Sequence, residues 1–365
     1  MHFGVESAKI NTTHNFINPL KIAGETHLKN NNFDLLRFTF AFIVFLVHTA
    51  SLSGSETLAV FNLYLSSDIA VKSFFIVSGF LIFMSYENTQ NLRHYFVKRL
   101  RRIYPAYLFI ILLCATLGFI ISSLPLSDYI SVSLLKYILS NVVFLNFIQP
   151  NLPGVFEHNT LQAVNGALWT LKVEVAFYIF VPIAIIAFRQ WGRLPVLILL
   201  YCCSALYSIA MMALADKTGS GMYVELQRQL PGQLVYFIAG AAGYYYLDYV
   251  VHFAKGLITL AIIAFLAQTW LPWHIVQPLA LAVLVIAAAC IFPSLKNFNK
   301  YGDFSYGIYI VHFPILQGLA SMGYFKTSPW LTLLIATALV LTSAFILWHL
   351  IEKPFLQKSS HYKRR

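Results

Sequence analysis

The chain has 365 residues, of which 59% are hydrophobic and only 11% are charged, whereas soluble domains carry roughly 25% charged residues. A soluble protein of this length would leave large apolar surfaces in water, so the composition excludes that class and predicts an integral membrane protein. The net charge of +11 does not indicate nucleic-acid binding, because the basic residues lie in short gaps between apolar runs rather than on one face of a folded domain.

Apolar stretches of membrane-spanning length occupy most of the chain after a polar N-terminal segment. Residues 1–32 lack the pattern of a cleaved signal peptide and are interpreted as a cytoplasmic tail. The segment 135–148 is apolar but too short to span, which indicates a re-entrant or interfacial piece. The sequence predicts an all-α polytopic membrane protein with about ten transmembrane helices in one membrane domain, 33–356, followed by a basic cytoplasmic tail, 357–365. The ten stretches are 33–51, 68–86, 104–122, 168–188, 194–214, 232–249, 256–271, 275–292, 303–322 and 330–350.

The distribution of Lys and Arg predicts the orientation of the chain. Membrane proteins place an excess of basic residues in their cytoplasmic loops. With ten spans and a cytoplasmic N-terminus, the cytoplasmic segments contain 18 of the 25 basic residues. Counting 135–148 as a full span would reverse every later loop and remove this bias. We therefore expect a multi-pass protein of a bacterial inner membrane with both termini in the cytoplasm.

Two ionisable residues within the first apolar stretch lie on one face of the predicted helix. Arg37 and His48 are eleven residues apart, which corresponds to three turns plus about 20° and to roughly 16 Å along the axis. Ionisable groups inside a membrane are costly and mark functional sites. The alternative is that Arg37 extends to the lipid headgroups and that His48 bonds a neighbouring helix.

Several segments follow the order of the motifs of a known family. Over residues 32–356 the sequence resembles the acyltransferase 3 family of membrane acyltransferases in its membrane-only form. Two positions depart from the family pattern, because Lys72 stands where many members have Asp and Leu35 replaces a common Gly. The segments that carry the resemblance are NNFDLLRFTFAFIVFLVH, VKSFFIVSGFLI, KRLRRIYPAYL, GALWTLKVEVAFYIF, GDFSYGIYIVHFP and WHLIEKPF.

The resemblance implies transfer of an acyl group, usually acetyl, from cytoplasmic acyl-CoA to a hydroxyl of a cell-surface glycan or lipid-linked sugar. It implies acyl-CoA as a co-substrate and no bound cofactor. A thioester is a good donor because its thiolate leaves easily, whereas the acceptor hydroxyl needs a base. Imidazole accepts and returns a proton near neutrality. His48 is therefore the candidate base or, alternatively, a covalent carrier of the acyl group.

Two further residues within predicted spans are candidates for the same site. Glu174 lies about six residues into a span that enters from outside, at a depth close to that of His48. We expect Glu174 to be catalytic by orienting the imidazole, as a carboxylate does in hydrolase triads. His312, in SYGIYIVHFP, matches a family position and is a candidate of the substrate-binding site, as a residue that supports those in direct contact with the substrate or, alternatively, packs in the core. The alternative for each is a structural contact between helices.

A basic cluster precedes the third apolar stretch, at the depth that Arg37 occupies. Arg99, Arg101 and Arg102 are candidates for binding the phosphates of CoA together with Arg37, because guanidinium groups match phosphate geometry. The alternative is an ordinary basic flank of a cytoplasmic loop.

The sequence predicts no metal site. The four cysteines lie in apolar runs without zinc spacing, and no H-E-x-x-H motif or glycine-rich phosphate loop occurs, so we expect no metal site. The expected partners are membrane lipid, acyl-CoA and a carbohydrate or lipid-linked glycan, with no nucleic acid, while the acceptor sugar, the acyl group and the oligomeric state stay open. The rival hypothesis is a transporter or flippase for a glycolipid or small anion, although the two related halves common in transporters are not found.

Overall fold

The computed structural model describes residue 28 and residues 31–89, 91–295, 298, 300 and 302–357. The predicted tail 1–32, apart from residues 28, 31 and 32, and the predicted tail 357–365, apart from Gln357, lie outside the described residues. Every regular element in the described part of the chain is helical. The prediction of an all-α membrane fold is confirmed.

Eleven helices of more than ten residues build the architecture of these described ranges. They are α1 (Phe33–Ser53), α2 (Ser67–Glu87), α3 (Leu92–Ile121), α4 (Val132–Val142), α5 (Trp169–Trp191), α6 (Arg193–Thr218), α7 (Leu230–Tyr245), α8 (Ala254–Leu266), α9 (Trp273–Ile286), α10 (Ser305–Ser321) and α11 (Pro329–Leu347).

Among the described residues, seven helical segments are long and apolar enough to cross a membrane: Phe33–Ser53, Ser67–Glu87, Leu92–Ile121, Gly166–Trp191, Arg193–Thr218, Trp273–Ile291 and Pro329–Phe355. The other three expected spans correspond to α7, α8 and α10, which are shorter helices of 16, 13 and 17 residues. Helix α4, Val132–Val142, has 11 residues and overlaps the first part of the segment 135–148. The chain is a multi-pass membrane protein, and the count of ten spans stays a prediction.

Helices α2 and α7 approach each other until their backbones touch. A Cβ atom added at Gly79 of α2 would collide with the carbonyl oxygen of Phe237, and one added at Gly240 of α7 would collide with that of Ile76. Membrane helices pack by close backbone approach at small residues, since lipid provides no hydrophobic force between them. The two glycines therefore fix α2 against α7 on one side of the bundle.

Helix α1 is held at its start and along its length. The side chain of Asn32 donates to the carbonyl oxygen of Ala288 at 3.0 Å, and its backbone N–H donates to that of Ala289 at 2.7 Å. Both carbonyls belong to a π-helical turn, Ala287–Ile291, that follows α9. Helix α1 also packs along α10, and α10 packs against α11. These contacts place the Arg37–His48 face of α1 opposite α10.

A second π-helical turn, Trp348–Glu352, extends α11. Such wider turns are rare and frequently occur at functional sites. Both Trp348 and Glu352 are buried, so the turn directs an acidic side chain into the bundle near the starts of α1 and α10.

Candidate functional site

A cavity of about 840 Å³ lies between α1, α2, α3, α5 and α10. Its polar lining runs from basic residues near the start of α3 to Thr170, the second residue of α5. Along α5 alone, the lining from Thr170 to Tyr178 extends about 12 Å. The polar residues of the lining include Arg37, Ser78, Ser85, Lys98, Arg99, Arg102, Thr170, Glu174, Tyr178, Tyr309 and Gln357.

Two of the predicted phosphate-binding arginines are paired with acidic groups inside the protein. Arg37 and Arg102 both donate to one oxygen of Asp303, each at 2.5 Å, and Arg102 also contacts Glu352 at 3.2 Å. The carboxylates are 1% exposed, so these ion pairs connect α1, α3, the start of α10 and the end of α11. The positive charge of both arginines is compensated by neighbouring carboxylates, which differs from the predicted phosphate clamp.

Arg99 has a different environment in the same cavity. Its guanidinium lies over the rings of Tyr95 and Tyr178, at 5.8 and 5.7 Å from their centroids. Its Nε atom is buried without a hydrogen-bond partner, and no carboxylate pairs with it in the part of the chain that the structure describes. Arg99 is therefore a cavity cation that is available to an anionic ligand.

Two other buried polar atoms in this cavity have no hydrogen-bond partner among the described residues: the hydroxyl oxygen of Ser85 and the amide oxygen of Gln357. Buried polar groups in proteins are almost always satisfied. A guanidinium donor, a hydroxyl and a carbonyl acceptor in one cavity indicate a ligand that carries both hydrogen-bond donors and acceptors.

Arg101 does not belong to the cavity, in contrast to its predicted role. It is exposed and is not among the lining residues. The reason is helical geometry, because two steps of ~100° turn Arg101 about 200° away from Arg99. Lys98, which sequence reasoning left out of the site, lines the cavity. It lies four residues before Arg102 and so shares its face, a signal that the sequence already contained.

His48 and His312 form a hydrogen-bonded pair between α1 and α10. Nδ1 of His48 lies 2.8 Å from Nε2 of His312, and the rings are nearly parallel at 21°, with centroids 5.1 Å apart. His312 is 0% exposed. Arg37 and His48 thus both reach the α10 side, as expected from their shared face, but neither histidine is among the cavity-lining residues.

His48 is hydrogen-bonded to His312 and not to Glu174, its predicted partner. Glu174 lines the cavity and accepts a hydrogen bond from the hydroxyl of Tyr178 at 2.6 Å, whereas the described hydrogen-bond partner of the His48 ring is His312. His312, a candidate of the substrate-binding site, contacts His48 and does not line the cavity. The depth of a residue in the membrane could not predict the partner of His48, because residues at one depth can point in different directions.

Tyr309 connects the cavity to the histidine pair. It lines the cavity, and its hydroxyl lies 2.8 Å from that of Thr170. Tyr309 precedes His312 by three residues on α10, and their rings are 5.9 Å apart. The ring of Tyr309 therefore lies between the part of the cavity at Thr170 and the imidazole of His312. Tyr309 was missed as a site residue, although its spacing from His312 predicts a common helix face.

Comparisons with known proteins show what the chain as a whole is similar to. The family model described as an acyltransferase domain, of the acyltransferase 3 type, matches residues 30–349. The chain is 26% identical over 343 residues to an O-acetyl transferase of Shigella phage Sf6, covering 91% of this chain and 98% of the relative. It is 26% identical over 358 residues to nodulation protein 10 of Rhizobium leguminosarum bv. viciae, covering 90% and 93%.

A third relative is the acyltransferase MdmB of Streptomyces mycarofaciens, which is 23% identical over 314 residues, covering 77% of this chain and 78% of the relative. No solved structure matches the chain significantly.

Proposed function

Because this chain belongs to the acyltransferase 3 family of membrane acyltransferases, we propose that it transfers an acyl group from cytoplasmic acyl-CoA to a hydroxyl of a cell-surface glycan or lipid-linked sugar. Acetyl is the expected group, since one relative is named an O-acetyl transferase. The observation that carries the proposal is the cavity, which has an unpaired cation near one end and adjoins the histidine pair near the other.

The basic end of the cavity suits the phosphates of CoA. Arg99 and Lys98 both line it and have no ion-pair partner among the described residues. A hydrogen bond to a charged group contributes about 1.5–3 kcal/mol. With the phosphates at Arg99, the long arm of acyl-CoA extends along α5 towards Thr170 and Tyr309. The thioester then lies next to Tyr309, whose ring contacts that of His312, the partner of His48.

The chemistry that this arrangement supports is activation of the acceptor hydroxyl. His48 takes the proton of the hydroxyl as its oxygen attacks the thioester carbonyl, and the CoA thiolate leaves. The alternative is that His48 itself receives the acyl group and passes it to the acceptor. Both routes require the imidazole of His48, which lies outside the cavity lining, to reach the reacting atoms, and His48 is the proposed catalytic residue.

We place the protein in a bacterial cytoplasmic membrane with both termini inside, so that the Arg99 end of the cavity faces the cytoplasm. The supporting observation is the excess of basic residues in the segments on that side. Reporter fusions test the orientation: a fusion after Arg193 should report cytoplasm, and one near Asn151 should report the outer side. The opposite result would place the CoA end outside and contradict the donor route.

Acyl transfer by the purified protein tests the function directly. Protein in lipid nanodiscs is incubated with radiolabelled acetyl-CoA and a glycolipid extract, with His48→Gln as the matched control. We expect label in the glycolipid only with the wild type, and a mass increase of one acyl unit in surface glycans of cells that express it. A folded wild-type protein that neither transfers nor hydrolyses the acyl group, as expected of a flippase, would overturn the proposal.

A further inference from the structure

The contacts of His312 define where its proton lies. Its Nδ1 atom is 3.1 Å from the carbonyl oxygen of Ile308, one turn earlier on α10. A carbonyl oxygen can only accept a hydrogen bond, so Nδ1 of His312 carries a hydrogen. In a neutral imidazole the other nitrogen is then an acceptor. Nε2 of His312 therefore presents a lone pair to His48.

A doubly protonated His312 does not fit its surroundings. The ring is 0% exposed, and its ring neighbours are Phe45, Tyr309, Phe313 and His48. Within the described ranges, no carboxylate pairs with either histidine. An unpaired cation buried among apolar rings is strongly unfavourable, so His312 is the neutral acceptor.

The state of His48 follows from that of its partner. The Nδ1 atom of His48 faces the lone pair of His312 at 2.8 Å, so this atom must carry the hydrogen and donate it. The second nitrogen of His48, Nε2, is then left with its lone pair. Nε2 is the nitrogen that can accept a proton or act as a nucleophile.

We propose that His312 is a positioning residue that holds His48 in the Nδ1-protonated tautomer and thereby makes Nε2 of His48 the reactive nitrogen. The inference rests on the proposed acyl transfer. The acceptor O–H proton passes to Nε2 of His48 as the oxygen bonds to the thioester carbon and the carbon–sulfur bond breaks. The same proton then passes from Nε2 to the thiolate sulfur, which gives the ester and CoA thiol. Throughout, Nδ1–H of His48 stays hydrogen-bonded to His312, which stabilises the transient imidazolium.

Variants at position 312 separate positioning from packing. His312→Leu fills the volume but offers no acceptor, whereas the amide oxygen of His312→Gln can still accept from Nδ1 of His48. We expect kcat to fall at least about tenfold in His312→Leu, since an imidazole in the wrong tautomer costs up to ~10⁴-fold in hydrolase triads. The KM for acetyl-CoA should change less than about twofold, and His312→Gln should recover most of kcat.

Normal kcat in folded His312→Leu, or a Gln variant as inactive as the Leu variant, would overturn the inference. A second measurement needs no variant that might fail to fold: the ¹⁵N shifts of histidine-labelled wild-type protein, with His48 assigned by the loss of its signal in His48→Gln. We expect Nδ1 of His48 to be protonated, and an Nε2-protonated ring would overturn the inference. The spectrum does not depend on activity, so absence of acyl transfer would contradict the proposed function alone.

Discussion

The two ends of the Arg37–His48 face of α1 use opposite chemistry. At Arg37, guanidinium groups meet carboxylates that are 1% exposed, whereas His48 meets a second imidazole and no carboxylate among the described residues. A buried ion pair is stable only while both partners are present. A neutral imidazole pair can take up and release a proton without losing its hydrogen bond. In the mechanism that we propose, the ionic end fixes the scaffold and the imidazole end transfers the proton.

The largest effect should follow removal of the base. His48→Gln keeps hydrogen bonding but cannot shuttle a proton, so acyl transfer should fall by ~10²–10⁴-fold with little change in thermal unfolding. His274→Gln is the control, because His274 is exposed at the start of α9. Transfer within a few-fold of wild type in His48→Gln would reduce His48 to a packing residue.

Removing the charge of Asp303, at the ionic end of α1, should instead lower the free energy of unfolding. Asp303→Asn removes the charge that Arg37 and Arg102 share, and breaking a buried ion pair costs about 3–5 kcal/mol of the free energy of unfolding. Thermal unfolding in detergent measures the loss. Glu225→Gln is the control, since the Glu225–Arg228 pair is 63% and 47% exposed and such surface pairs contribute about 0–1 kcal/mol. Equal unfolding temperatures for the two variants would contradict a scaffold role for Asp303.

Arg99, the cavity cation without a carboxylate partner among the described residues, should affect the binding of acetyl-CoA and not the chemical step. In Arg99→Gln we expect the KM for acetyl-CoA to rise about 10- to 100-fold, which corresponds to the 1.5–3 kcal/mol of one charge-assisted hydrogen bond. Arg101→Gln removes the same charge from the exposed side of α3 and should leave KM unchanged. If both variants raised KM equally, the effect would come from overall charge rather than from the cavity.

The smallest change in activity is expected at Glu174. The amide of Glu174→Gln can still accept the hydrogen bond of Tyr178, so kcat should fall less than about tenfold, well below the loss in His48→Gln. The same transfer assay measures both variants at equal expression. A loss as large as that of His48→Gln would mean that the carboxylate acts directly on the reacting groups.

Helical periodicity in the sequence predicted which residues share a face of one helix. It could not predict which residues of other helices they contact. The shared face of Arg37 and His48 follows from an eleven-residue spacing, and the same rule separates Arg101 from Arg99. The partners of Arg37 and His48 are 266 and 264 residues away along the chain. No periodicity within a helix contains that information. Asp303 gave a weaker signal, as an acidic residue beside an apolar stretch.

The two contacts between α1 and the α10 region also set the register of these helices. The Arg37–Asp303 ion pair and the His48–His312 hydrogen bond lie at two different positions along the axis of α1. Sliding or rotating α1 against α10 would break at least one of them. One residue inserted between positions 37 and 48 would turn His48 by ~100°, and both links could no longer form together. With this register held, the proposed acyl transfer needs only that acyl-CoA enters the cavity from its Arg99 end while α1 and α10 stay in place. Rocking of one half of the protein against the other, on which alternating-access transporters depend, is then not required.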